Sequence, residues 1–435
     1  MIRIIDKHLL EWKDSSNRKP LIIRGLRQVG KTYSVAQFAK QSFDDIAIFD
    51  FERDKSCHQI FSGDLLPQRL LMELEVHIGK KITPGKVLVF FDEIQACPRA
   101  LMSLRYFYEQ MPELHVIAAG SLLEFAIEDI SFPVGRVQFL WMYSMTFSEF
   151  LWAHGLEILD RQRSYLDTSS PVPESMHKKL LEQLRYYFVV GGLPEAVSSF
   201  VQRHSLPEVA EIHKTLVRSY KQDFSKYAGR TDRECLENVC EQIPLHVGEQ
   251  IKYTTLYPEK RIDQIKRSLR ILEQALVIRK VFSTSAQGLP LSSGIHEKVF
   301  KYIFCDIGLM QSMAGVNNFR LMEDKDLMGT YRGSLAEQFV GQEILAKIQG
   351  PEDVRLYYWF RHKRGSSAEV DYLMVADDGK IIPVEVKSGP AGKLRSLHLF
   401  LEEHPHSPLG IVFNTGNVQW LKEQRLHFLP IYTRV

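Results

Sequence analysis

The stretch Leu21–Thr32, LIIRGLRQVGKT, constrains this chain more than any other. Leu21, Ile22 and Ile23 form a short apolar run of the kind a buried parallel strand shows. Gly25-Leu26-Arg27-Gln28-Val29-Gly30-Lys31-Thr32 then fits G-x-x-x-x-G-K-[ST], and Val35, Phe38 and Ala39 return at helical spacing. Strand, glycine loop and helix in that order make a phosphate cradle. A chance match is the alternative, and the flanking strand and helix weigh against it.

The residue types follow from the chemistry. A polyphosphate needs backbone N–H donors converging from a loop, and Gly25 and Gly30 keep that loop open. The helix that starts near Lys31 turns its free N–H groups and positive dipole end toward an anion. Lys31 supplies a point charge for β and γ phosphates, and the Thr32 hydroxyl can ligate Mg²⁺. The expected ligands are therefore ATP and Mg²⁺, held by Gly25, Arg27, Gln28, Val29, Gly30, Lys31 and Thr32.

At 435 residues the chain exceeds one ordinary domain. Its 45% hydrophobic and 25% charged content is that of a soluble globular protein. A net charge of +2 leaves nucleic-acid binding to a local basic patch. Five scattered cysteines without a CxxC pair fit reduced thiols and a cytoplasmic location. The start, MIRIIDKHLLEWK, has no signal-peptide core, and no apolar run approaches the length of a membrane span.

Along the chain, Ile4–Lys13 reads as an amphipathic helix and Ile46–Glu52 as a second strand. A third strand, Val87–Phe91, runs directly into Asp92-Glu93. An apolar strand ending in two acids, about 60 residues after a phosphate loop, is the Walker B arrangement. Asp92 is expected to hold Mg²⁺ through water beside Thr32, and Glu93 to polarise the attacking water. Pro98–Tyr108 is expected as a helix. His115–Ser121 is expected as a fourth strand ending in a small polar residue.

Gly135-Arg136, Thr146-Phe147-Ser148-Glu149-Phe150 and Gly191-Gly192-Leu193-Pro194-Glu195 follow. With these residues nearly the whole chain resembles a large prokaryotic family of AAA+-related ATP-binding proteins that carry a second characteristic domain behind the ATPase. Thr146 stands where that family usually has Ser. The resemblance implies a sensor at Ser121, the alternative being a simple strand-to-helix turn. It raises Arg136 as a transition-state guanidinium, acting in cis or on a neighbouring subunit, or else as a structural ion pair. It also implies a lid helix opening at Gly191.

From Ser205 to Val281 the pattern is helical, with Glu234–Gln250 and Arg261–Ala275 each expected as one helix. Leu276–Phe282 and Lys298–Phe304 read as paired strands, so this segment suggests a winged helix. Between Lys252 and Lys280 there are eight basic and three acidic residues. That excess serves either a phosphate-contacting face or the solvated face of a packing module.

After Cys305-Asp306-Ile307-Gly308-Leu309, a turn the family shares, a helix Tyr331–Ile348 contains Glu337. Strands are expected at Leu356–Phe360, Glu369–Val375 and Ile381–Lys387, with an Asp378-Gly379 hairpin turn. Glu337, Asp371 and Glu385-x-Lys387 resemble the PD-(D/E)xK order of restriction-endonuclease-like folds. Asp371 and Glu385, on adjacent strands, can converge on one divalent ion. Lys387, two residues from Glu385 on the same face, can orient a water. Ordinary surface charges are the alternative. Tyr357, Tyr358, Trp359 and Arg361 either stack on nucleic acid or belong to a core.

The expected fold class is α/β: an AAA+-type P-loop NTPase with a helical lid, a winged-helix-like middle and a restriction-endonuclease-like α/β domain. The expected boundaries are 1–155, 156–230, 231–310 and 311–435. Three functions are compatible: an ATPase driving a change in the C-terminal half, a metal-dependent nuclease switched by ATP and acting on DNA, and a non-catalytic nucleotide switch that binds partner proteins through an inactive nuclease fold. An oligomer is compatible with each, and a membrane partner is not expected.

Overall fold

The computed structural model describes residues 1–121, 123, 132–133, 135–165, 168–227, 230–315, 332–347, 355–361, 368–387 and 394–434. The expected helix limits Tyr331 and Ile348 lie outside the described residues. The chain divides into two compact units: Met1–Tyr143 with Gln274–Leu276, and Ser144–Glu273 with Val277–Ile348 and Val354–Val435.

The first unit alternates strands and helices: α1 (Ile4–Asp14), β1 (Leu21–Gly25), α2 (Lys31–Ser42), β2 (Asp45–Asp50), α3 (Cys57–Ile60), α4 (Pro67–Ile78), β3 (Val87–Asp92), α5 (Pro98–Gln110), β4 (His115–Gly120) and β5 (Gln138–Met142). Its sheet has the order β2-β3-β4-β1-β5, and every pairing is parallel. β3 and β4 are buried along their whole length, as apolar strands covered on both faces must be. Phe49, Phe51, Phe61, Phe91 and Phe107 fill the core beside β2 and β3. Each such side chain, taken from water, contributes ~1.5–3 kcal/mol. Because β4 lies between β1 and β3, its tip at Ser121 stands between the phosphate loop and Asp92-Glu93.

The second unit begins with helices: α6 (Phe147–Ala153), α7 (Glu157–Ser164), α8 (Glu174–Val190), α9 (Pro194–Arg203), α10 (Leu206–Tyr227), α11 (Arg230–Gln242), α12 (Tyr253–Leu256) and α13 (Ile262–Gln274). The helix expected over Glu234–Gln250 stops at Gln242, and Pro244, which lacks an N–H, sits in a 3-10 turn instead. Then come β6 (Ile278–Thr284), β7 (Ile295–Phe304), α14 (Ile307–Met313), α15 (Arg332–Lys347), β8 (Leu356–Phe360), β9 (Glu369–Val375), β10 (Ile381–Val386), α16 (Arg395–Glu403), β11 (Gly410–Asn414), β12 (Gln419–Leu421) and β13 (Leu426–Pro430).

The second sheet has eight strands in the order β12-β13-β11-β10-β9-β8-β6-β7. β6 and β7 pair antiparallel, as a wing would, but β6 also pairs parallel with β8. The two strands expected to form a wing are thus the margin of one sheet that crosses the boundary expected at 310/311. The helices expected as a lid on the ATPase belong to this second unit. Phe147 N–H donates to Glu343 Oε1 at 2.9 Å, and the Arg163 guanidinium donates to the Tyr432 carbonyl at 2.7 Å.

Two sequence signatures meet inside this unit. Asp306 Oδ1 caps α14, accepting from the Gly308 and Leu309 N–H groups at 3.0 Å each, while Oδ2 accepts from the Gly192 N–H at 2.7 Å. A Cβ at Gly191 would overlap Asp306 Oδ1, and one at Gly192 would overlap the Met145 carbonyl. The Gly-Gly and Asp-x-Gly-Leu motifs are one interlock.

Candidate functional site

The phosphate loop leaves β1 at Gly25, where a Cβ would overlap the Met142 carbonyl on β5. Gln28 (φ 63°) and Gly30 (φ 98°) lie in the left-handed region, which folds the loop back over the start of α2. Lys31 is buried, and its Nζ donates to the Gly25 and Leu26 carbonyls at 2.9 Å each. Burial lowers its pKa to about 8, against the pull of Glu93 and Asp92. Arg3, a buried residue at the head of α1, donates to the Val29 carbonyl at 2.9 Å and to the Tyr143 carbonyl at 2.8 Å. It ties the loop to the end of β5, and nothing in the sequence pattern marks it.

The expected Walker pair converges. Thr32 Oγ1 donates to Asp92 Oδ2 at 2.7 Å. Burial raises the Asp92 carboxyl, with Glu93 and Asp50 pushing the same way. Two hard oxygen donors side by side, buried Asp92 and exposed Thr32, suit Mg²⁺. Glu93 has φ 47°, a left-handed conformation that a non-glycine residue adopts at a cost of order 1–3 kcal/mol. That turn swings its carboxylate toward β4, where Oε2 accepts from Ser121 Oγ at 3.2 Å and Gln95 Nε2 at 2.5 Å. Gln95 is a site residue the sequence reading missed. Gly120 makes room for it, since a Cβ there would come within 2.5 Å of Gln95 Oε1.

Arg136 is not brought to this site. It precedes β5, whose start pairs with Leu21 at the far end of β1 from the phosphate loop. Five strand residues separate the two ends, roughly 15 Å. Its guanidinium instead meets Glu109 Oε1 at the end of α5, at 2.9 Å and half exposed. Of the readings open for Arg136, the arrangement described is the ion pair.

In the second unit, Asp371 on β9 and Glu385 on β10 stand one step beyond the Tyr372–Val384 pair of the hairpin. Asp371 Oδ2 accepts from the Val386 N–H at 2.7 Å. Lys387 Nζ donates to Glu385 Oε1, and Glu385 Oε2 is buried with no hydrogen-bond partner among the described residues. Glu337 on α15 joins them through a residue the sequence reading passed over. Lys301, on β7 and 1% exposed, places its Nζ 2.9 Å from Glu337 Oε1, 4.0 Å from Asp371 Oδ1 and against Glu369 Oε1. Glu369, also missed, accepts from Gln250 Nε2 at 2.8 Å. Burial works against the Lys301 charge, yet the surrounding carboxylates hold it above the ordinary lysine range. Burial pushes Glu337 and Glu385 up to about 8. The oxygen donors suit a hard divalent ion, and Glu385 Oε2 lacks a hydrogen-bond partner among the described residues. The cation position beside Glu337 and Glu369, however, is filled by the chain's own ammonium.

The aromatic strand β8 is core: Tyr358 and Trp359 are buried, and Arg361 pairs with Glu403 at 2.8 Å. The basic excess of 252–280 is partly absorbed as well. Lys260 pairs with Glu234 at 3.2 Å, Lys266 lies over the Tyr253 ring, and Lys280 lies 4.1 Å from the centre of the Phe300 ring.

Residues 17–151 match the family model described as AAA domain. Residues 181–320 and 332–433 match two models described as domains of unknown function, DUF8612 and DUF4143. No curated protein matches the chain in sequence. Solved structures with some likeness include C. elegans PCH-2, at 12% identity over 47% of this chain and 64% of that one, TM-score 0.28. The Aeropyrum pernix Orc1 protein in complex with DNA follows at 9% over 72% and 93%, TM-score 0.30. The Thermotoga maritima RuvB Holliday junction branch migration motor gives 15% over 63% and 87%, TM-score 0.28. Likenesses this loose fix neither fold nor function. The parallel sheet, the phosphate loop and the AAA domain match together make the N-terminal region P-loop NTPase-like and AAA-related. Two domains of unknown function follow it. Among the described residues no helix is long and apolar enough to cross a membrane.

Proposed function

We propose that this protein is an ATPase of the AAA+ type, binding ATP on Gly25–Thr32 and hydrolysing it with Mg²⁺. The observation that carries this reading is the 2.7 Å approach of Thr32 to Asp92, with Glu93 held one residue further on by Ser121 and Gln95. Thr32 and Asp92 would hold the metal, which neutralises charge on the β and γ phosphates when bound. Lys31 exchanges its two loop carbonyls for phosphate oxygens. Glu93 accepts the proton of the attacking water, and Ser121 aligns it. ATP turnover by the purified full chain tests the reading. Lys31→Ala is expected to abolish turnover, and unchanged turnover in that variant would sink the proposal.

A second reading concerns what hydrolysis serves. A metal-dependent nuclease acting on DNA through Glu337, Asp371, Glu385 and Lys387 needs a free cation position. Lys301 inside that cluster favours the other reading, in which the second unit is an inactive nuclease fold that engages partner proteins. Incubation with linear and branched DNA and Mg²⁺ or Mn²⁺ separates the two. Cleavage lost in Asp371→Ala would restore the nuclease.

A further inference from the structure

Asp54, Cys57 and His77 belong to neither site, yet their ligand atoms converge. His77 Nε2 is 2.9 Å from Asp54 Oδ2 and 3.2 Å from Cys57 Sγ, and Cys57 Sγ is 3.5 Å from Asp54 Oδ2. Among the described residues this is the set of three His, Cys, Asp or Glu side chains whose ligand atoms all lie within 4.8 Å of one another.

Local structure aims each group. The segment after β2 turns back on itself, the Asp54 N–H donating to the Asp50 carbonyl at 2.9 Å. Asp54 Oδ1 is occupied by the Ser56 N–H at 3.0 Å and the Ser56 hydroxyl at 2.5 Å, which leaves Oδ2 pointing inward. Cys57, buried, opens α3. His77 comes from the last turn of α4, its ring tilted over Phe49 at 6.3 Å between centres.

A Cys-His-Asp relay does not account for this arrangement. Such a relay uses both ring nitrogens of the histidine, whereas here thiol and carboxylate meet the same Nε2. Three donors around one point are what a cation requires. Zn–S of about 2.3 Å with Zn–N and Zn–O of about 2.0–2.2 Å in a tetrahedron set ligand atoms roughly 3.3–3.6 Å apart; the Cys57–Asp54 spacing of 3.5 Å lies in that range, and the 3.2 and 2.9 Å spacings to His77 open by a few tenths of an ångström on binding. Thiolate, imidazole and carboxylate together are the donors of zinc-class ions rather than of Mg²⁺ or Ca²⁺. Asp54 and His77 are partly exposed, 44% and 26% by side chain, so the fourth position faces water.

We propose that Asp54, Cys57 and His77 form a zinc-class divalent cation site with one open coordination position, clamping the segment after β2 to the end of α4. Binding replaces the thiol proton, which passes to solvent. The clamped segment is tied to the end of β3 upstream of the ligands: the Phe51 N–H donates to the Asp92 carbonyl at 3.1 Å.

Titration of the full chain with Co²⁺ in excess Mg²⁺ tests the site. One equivalent is expected to give thiolate-to-cobalt charge transfer and the d–d absorption of a four-coordinate ion. An unfolding temperature roughly 5 °C or more higher at a hundredfold excess over Kd is also expected. Both are lost in Cys57→Ser and in His77→Gln. Because Cys57 is buried and its variant can fail to fold, His77→Gln, checked by circular dichroism and ATP binding, keeps the test decisive. No charge-transfer band in the wild type, or a band that persists in folded His77→Gln, would overturn the proposal.

Discussion

Lys301 Nζ lies 2.9 Å from Glu337 Oε1, on a side chain that is 1% exposed. Four carboxylates and two ammoniums form one cluster, with Lys301 and Glu385 buried and Glu369 and Lys387 at its partly exposed edge: Glu337, Glu369, Asp371 and Glu385 with Lys301 and Lys387. A buried cation removed from its partners leaves them uncompensated, which costs about 3–5 kcal/mol. Lys301→Met, similar in length and uncharged, is expected to lower the unfolding free energy by that amount, read as a lower urea midpoint. Mn²⁺ at millimolar concentration is expected to recover part of the loss in the variant, because the oxygens released by Lys301 then accept a metal. Equal midpoints for wild type and variant would show that the ammonium does not organise the cluster.

Glu93 is held by Ser121 and Gln95 without touching Asp92 or Thr32 through its own carboxylate in any hydrogen bond found. Glu93→Gln can keep both contacts through its amide oxygen while losing the basicity. ATP binding should therefore survive, with turnover down ~10²–10⁴-fold. Filter binding and phosphate release measured on the same preparation check the split. A parallel loss of binding would mean that Glu93 shapes the pocket rather than the chemistry.

Arg136 pairs with Glu109 at the opposite end of the sheet from the phosphate loop. An exposed pair of this kind contributes ~0–1 kcal/mol. Arg136→Ala is expected to leave turnover of dilute protein within about twofold and the unfolding temperature nearly unchanged. Turnover that rises with protein concentration in the wild type and not in the variant would reveal a guanidinium acting on a neighbouring subunit.

The proposed nucleotide site is legible because its residues are local in sequence. Gly25–Thr32 is one contiguous loop, and Asp92-Glu93 ends an apolar strand, so both announce themselves by spacing. Arg3 and Gln95 were not legible. A single arginine before a helix and a glutamine two residues after an acid have no period or motif, and their roles exist only once the sheet brings β5 and β4 alongside. Lys301 was hidden for the same reason. It lies 36 residues before Glu337 and 70 before Asp371, on a strand whose apolar neighbours suggested a wing. Only the pairing of β6 with both β7 and β8 puts it among those carboxylates. The signatures around Gly191 and Asp306 were visible as motifs, but their meaning as one interlock depends on a long-range contact.

That interlock separates two glycine substitutions that look alike in sequence. A Cβ at Gly192 would collide with the Met145 backbone, which cannot step aside as a flexible side chain would. Gly192→Ala is expected to destabilise by more than about 2 kcal/mol. Gly333, in the first turn of α15, has nothing within 4 Å of an added Cβ. There the helix gains from alanine, by up to about 1 kcal/mol. Denaturation midpoints of the two variants should move in opposite directions.

Glu343 on α15 gives the second unit a pH dependence whose sign can be worked out. Burial pushes its carboxyl up to about 7, against the nearby Arg163 charge and the Phe147 N–H that donates to it at 2.9 Å. The unfolded chain releases this proton near pH 4.5, while the folded chain keeps it to about pH 7. Between those values the native state binds more protons. The carboxyl's contribution to stability is thus complete below pH 4.5, falls as pH rises, and is lost above about pH 7. For a shift of this size the loss is on the order of 3 kcal/mol. Glu343→Gln keeps the acceptor for Phe147 and cannot ionise. Its stability relative to wild type should therefore climb from pH 4.5 to 7 and level off beyond, as read from urea midpoints across that range. A difference that stays flat would mean that Glu343 is already charged in the native fold.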